Sequence, residues 1–271
     1  MKKRTHLPLT VWIPAACVAA LALACLLAPV LAPYDPNAMD PMVKFAPASS
    51  EHLLGTDYLG RDILSRILWG GRNTLGYALL VTAISSVLGT CIGMFSGWTG
   101  GWVDSAVTKG SDVLRAFPGI VLVLIVVSAL GVGIGNVCLA MLLTRWIWYA
   151  RVARNLTKAE LSRASIMAAR LAGSGTARIL TRHILPSILP QMLSVLVIDF
   201  GGALLAISGY SYLGLGILPP DPEWGMMISD GRNFMEHPGM MAWPGLCVLL
   251  VVISVNLLGD KLRDSWEEKR I

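Results

Sequence analysis

Charge is what this sequence has least of. Of 271 residues only 14% are Asp, Glu, Lys or Arg, against roughly 25% in an ordinary soluble domain, while 55% are hydrophobic. A water-solvated surface cannot be built from so few charges. Disorder is excluded as well, because it requires low hydrophobicity and high net charge. No G-X-Y period accompanies the 27 Gly and 15 Pro, which excludes collagen. No Gly-Lys dipeptide occurs anywhere, so the chain lacks the phosphate-cradling loop G-x-x-x-x-G-K-[ST]. The five cysteines (Cys17, Cys25, Cys91, Cys138, Cys247) lie inside apolar segments without C-x-x-C spacing, supporting neither a disulfide framework nor a zinc site. The histidines His6, His52, His183 and His237 all fall outside the apolar runs long enough to cross a membrane, so no metal cage is visible.

What the chain does have is apolar length. Its mean hydropathy is +0.63. A helix crossing a hydrocarbon core ~30 Å thick needs about 20 apolar residues, and six segments approach that: 11–32, 74–97, 116–133, 134–151, 184–208 and 240–259. Continuous runs of this length are helical, not the alternating strands of a barrel. The expected fold is therefore an all-α membrane protein with six transmembrane helices. The first run follows Lys2, Lys3 and Arg4 and is long for a signal-peptide core, with Pro33 directly after the small-residue candidate Leu31-Ala32. It reads as an uncleaved anchor.

A net charge of +5 does not indicate nucleic acid, because the Lys and Arg lie between apolar runs and not on one face of a soluble core. They orient the chain instead. With the N-terminus inside, sixteen Lys and Arg fall in cytoplasmic segments, seven of them in the loop 152–183 and at its edge; five (Lys44, Arg61, Arg66, Arg72, Arg232) fall outside. Both termini are expected in the cytoplasm. In the loop, Leu161, Ala164, Ser165, Ala168, Ala169 and Ala172 recur at spacings of three and four, which predicts a short amphipathic helix stopped by Gly173 and Gly175. A second helical stretch, Thr176 to Ile184, then runs into Pro186. An apolar face with no lipid to bury it predicts docking onto a partner protein; a basic connector on anionic lipid is the other reading.

Met167-Ala168-Ala169-x3-Gly173, followed by His183-Ile184-Leu185-Pro186, resembles the EAA loop of ATP-binding-cassette (ABC) importer permeases, although Met167 stands where the family has Glu. Leu54-Gly55-Thr56-Asp57-x-x-Gly60-Arg61-Asp62-x-x-Ser65-Arg66, Trp148-Tyr149-Ala150-Arg151, Tyr212-Leu213-Gly214-Leu215-Gly216 and Pro222-Glu223-Trp224-Gly225 are similar to the second permease subunit of the dipeptide, oligopeptide and nickel importers, and most like its nickel branch. The resemblance implies a type I ABC importer permease fold with a cytoplasmic coupling helix. It also implies an N-terminal anchor helix and periplasmic segment over 1–73, and a transmembrane core over 74–271 with the coupling loop at 152–183. Met167, Ala168, Ala169, Gly173, His183, Leu185 and Pro186 would then couple to an ATPase. Implied partners are a homologous second permease, two ABC ATPase subunits holding ATP and Mg, a periplasmic or lipoprotein solute-binding protein, and the lipid of a bacterial inner membrane. The chain itself would bind no cofactor and hold no catalytic residue. The implied cargo is nickel, free or chelated, with dipeptides, oligopeptides or a metallophore complex as alternatives.

Two further groups stand out. Asp199 lies near mid-depth of the fifth run, where an ionisable residue is costly and faces protein or water. It either pairs with Arg145 or lines a cation path. The loop 216–239, with Asp221, Glu223 and Trp224, offers an acidic, Trp-bearing outer surface that a binding protein would meet. Rival classes fare worse: a secondary transporter would show repeats, an intramembrane protease a second buried catalytic group, and a purely structural subunit would recruit no ATPase.

Overall fold

The computed structural model describes residues 9–267; Lys2, Lys3, Arg4, His6, Lys269 and Arg270 lie outside that range. Eleven α-helices are found among the described residues: α1 Leu9–Leu26, α2 Ala28–Leu31, α3 Ile63–Thr99, α4 Gly101–Arg115, α5 Gly119–Leu130, α6 Ile134–Leu161, α7 Ala164–Leu171, α8 Thr176–Ile179, α9 Leu185–Tyr212, α10 Trp224–Gly231 and α11 Gly239–Glu267. No strand is present among them, and the chain is an all-α membrane protein. By length and composition, α3, the run from Thr176 to Tyr212, and α11 are each able to cross a membrane alone, and α4 with α5, bent by 80°, passes as a fourth span.

The helices outrun the apolar segments that announced them. The second begins eleven residues before position 74, because Asp62 caps it: Oδ2 accepts from the Ser65 amide and the Ser65 hydroxyl, both at 2.7 Å. The fourth continues past position 151 to Leu161, so the first third of the expected loop is helix. Ala153, Thr157 and Glu160 keep one face of that extension buried at helical spacing. The fifth run joins α8 through a widened π turn, Leu180–Ile184. Pro186 has no N–H for the Arg182 carbonyl, and its ring would crowd that carbonyl in a regular helix, so the turn widens and the helix goes on. His183 accordingly sits in a helical turn, within the stretch expected to be helical.

One compact unit comprises the residues up to Leu80 with 126–138 and 200–258. Here the Leu54–Arg66 motif folds on itself. Asp57 Oδ1 accepts from the Leu59 and Arg61 amides at 2.8 and 3.0 Å, and its Oδ2 accepts from Arg61 Nε at 2.6 Å. Arg66 donates to the Pro36 carbonyl at 2.9 Å. Glu223 caps α10 by accepting from the Met226 amide at 2.9 Å, and it takes a second bond from Thr74 Oγ1 at 2.8 Å. Trp224 donates through its indole to the Ile67 carbonyl at 2.9 Å.

The second unit comprises 81–125, 139–199 and the residues from Gly259. Gly89, Gly93 and Gly97 on α3 lie against α6: a Cβ on Gly93 would be driven into the Ala150 carbonyl, and one on Gly97 would stand 2.8 Å from the Arg154 carbonyl oxygen. Such a stripe lets two backbones approach closely. Below it Asp104 binds Ser96 at 2.8 Å, Lys158 at 2.6 Å and Arg154 through both oxygens.

Candidate functional site

The short helix expected in the loop 152–183 forms as α7, and its end explains Gly173. The Ser174 amide donates to the Ala169 carbonyl and the Gly173 amide to the Arg170 carbonyl, both at 3.0 Å, which closes a Schellman motif. Gly173 adopts φ +75° to do so, a conformation that costs any residue with a Cβ. Only Ile166 of α7 is buried; Met167 is 58% and Leu171 91% exposed. Ala164, Ala168 and Ala172 are exposed and Ala169 half-buried, so the predicted apolar stripe is left uncovered. Arg170 lies over the Trp98 ring, 4.3 Å from its centroid, tying the helix back to α3. His183 and Pro186 are exposed, while Leu185 packs against the core cluster beneath.

That cluster consists of Met94, Tyr149, Ala153, Ile166, Ile179, Ile184, Ile188 and Met192. Above it the two intramembrane charges meet. Arg145 Nη2 donates to Asp199 Oδ1 at 2.5 Å and to the Asp199 carbonyl at 3.0 Å. Tyr149 Oη donates to Asp199 Oδ2 at 2.9 Å. Of the two sequence readings of Asp199, the pairing is what the geometry shows. Its charge is balanced, and the two side chains are only 18% and 19% exposed.

The expected outer docking surface is corrected at two of its three residues. Glu223 and Trp224 are wholly buried, tied to α3 by the bonds given above, because Glu223 is consumed as a helix cap and Trp224 as core. Asp221 remains exposed and accepts from Asn37 Nδ2 at 3.3 Å. Burial pushes the Glu223 carboxyl above the usual carboxylate range. Sequence reasoning missed Tyr149 and Asp104. Tyr149 stands four residues after Arg145, on the same helical face, a spacing that carried the signal. For Asp104 no local charge pattern existed, since its cationic partners Arg154 and Lys158 come from fifty or more residues away.

Residues 89–267 match the family model for the binding-protein-dependent transport system inner membrane component. The chain is 39% identical over 251 residues to the nickel transport system permease protein NikC of Escherichia coli, covering 92% of this chain and 91% of that one. It is 38% identical over 239 residues to the metal-staphylopine import system permease protein CntC of Staphylococcus aureus, covering 88% and 83%. With α7, its glycine stop and the helices around them falling inside the matched region, this multi-pass chain belongs to the family of inner-membrane permease components of binding-protein-dependent ABC importers.

Proposed function

We propose that this chain is the permease subunit of an ATP-driven importer whose cargo is nickel, free or as a chelate with a small metallophore. The observation that carries the proposal is near full-length similarity to two permeases named for metal import, one of nickel and one of a metal–staphylopine complex. The uncovered face of α7, stopped by Gly173 and bearing Met167, Ala168 and Leu171, suits docking into a separate ATPase. Ala169, His183, Leu185 and Pro186, the other residues of the motif, would belong to the same coupling loop. Two such subunits would hold the ATP and Mg, a homologous permease would complete the pore, and a periplasmic or lipoprotein binding protein would deliver the cargo near exposed Asp221. The termini and α7 would face the cytoplasm, with 1–73 as anchor and outer segment. Because Arg145 neutralises Asp199, the pair offers a cation little net field, and its place is at the edge of the path, not as a ligand in it.

Uptake of radiolabelled nickel, with and without added chelator, and of a labelled dipeptide, measured in cells with and without this chain, tests the proposal. Loss of nickel uptake alone is expected. Loss of dipeptide uptake with nickel uptake intact would overturn it.

A further inference from the structure

Tyr149 has two faces that nothing so far connects. Its ring is fully buried in the cluster that also holds Ile166, the one buried side chain of α7. Its hydroxyl ends on Asp199 Oδ2 at 2.9 Å. Arg145, one turn earlier on α6, takes the other carboxylate oxygen, so two side chains of α6 hold one residue of α9. Arg145 Nε is buried without a partner, and Asp199 therefore depends on Tyr149 to orient its second oxygen.

The backbone of α6 at Tyr149 lies close against α3. A Cβ on Gly89 would come within 2.6 Å of the Tyr149 Cβ, and the next two glycines of α3 lie equally close to α6. A packed core transmits a displacement, it does not absorb it. Ile166 and Tyr149 belong to one packed cluster, so a displacement of α7 is passed on toward Tyr149 and, through its hydroxyl, toward Asp199 on α9. The twelve residue steps from Tyr149 to Leu161 span about 18 Å of helix, so the clamp lies well away from the surface α7 presents. The hydroxyl adds nothing to the packing, because phenylalanine would fill the same space.

We propose that Tyr149 is a positioning residue that links the seating of α7 to the Arg145–Asp199 clamp between α6 and α9. The proposal rests on the reading that α7 docks an ATPase. It makes the clamp the part of the bundle that ATP-driven movement of α7 acts on.

The test uses the assembled importer in proteoliposomes, measuring nickel moved per ATP hydrolysed at equal complex content. Tyr149→Phe should assemble and hydrolyse ATP, with the ratio reduced about tenfold, the scale of one hydrogen bond to a charged group. Asp199→Asn should lower the same ratio, and the double variant should be no worse than Asp199→Asn alone. A wild-type ratio in Tyr149→Phe, additive losses in the double variant, or loss of Tyr149→Phe from the membrane would each overturn the link. Gly173→Val separates the two ideas. If it uncouples transport while Tyr149→Phe does not, only the link fails; if it leaves transport and ATPase co-purification unchanged, the docking reading fails first.

Discussion

At Gly173 the backbone sits at φ +75° and closes the last turn of α7. A β-branched side chain there is strained by about 1–3 kcal/mol, enough to fray an eight-residue helix while the long helices stay inserted. Gly173→Val should therefore keep normal membrane abundance and lose transport per ATP, as proteoliposome assays would read. Met167→Glu should be tolerated, because Met167 is exposed and a carboxylate there stays solvated. Glu223 supplies a pH dependence. Its folded pKa is raised, above all by burial, so between the ordinary carboxylate value and its own value the folded chain holds a proton the unfolded chain has released. Stability then falls as pH rises through that window. Thermal unfolding in detergent should show the fall in the wild type and a smaller one in Glu223→Gln, the remainder belonging to Asp230, which burial also raises.

The α3–α6 pair is the element whose spacing the sequence states most directly. Gly89, Gly93 and Gly97 recur every four residues, which is one face of a helix, and the structure lays that face on Tyr149, Ala150 and Arg154. Gly93→Val would insert a branched side chain against the Ala150 backbone, at an overpacking cost of about 1–3 kcal/mol or more. Reduced abundance by immunoblot is expected. Gly76→Ala, on the same helix with nothing within 4 Å of its Cβ, should match or exceed the wild type, since alanine is the better helix former by about 1 kcal/mol. Normal abundance in both would show that α3 and α6 do not need to touch there. Helix ends were less legible than faces. The start of α3 depends on the Asp62 cap, the extension of α6 on a buried face around Ala153 and Thr157, and the passage through Pro186 on a widened turn. None of these contributes to an apolar run, so a hydropathy window ends each helix too early. The family motifs were legible as patterns but not as roles: Pro222-Glu223-Trp224-Gly225 reads as an acidic loop, and only three-dimensional packing shows it to be a cap and a core side chain.

For the whole molecule, the strongest signal lies in what separates the apolar runs. Lys and Arg divide sixteen against five between the segments that separate the six expected apolar runs, a bias that under the positive-inside rule predicts the orientation of the chain. The same bias decides whether α7 is on the side where ATP is hydrolysed, so orientation and mechanism stand or fall together. Ser50 and Ser162 are both exposed and lie on opposite sides in this reading, Ser50 in the segment before α3 and Ser162 immediately before α7. Each is replaced by cysteine and treated with a membrane-impermeant thiol reagent in intact spheroplasts, then again after permeabilisation. The native cysteines lie in apolar helices, and the wild type measures their background. Ser50→Cys should label at once. Ser162→Cys should label only after permeabilisation, and an ATPase bound over α7 should slow that labelling further. Immediate labelling of Ser162→Cys in sealed spheroplasts would place α7 on the outer side, where no ATPase can reach it, and would remove the coupling role of Gly173 together with the orientation.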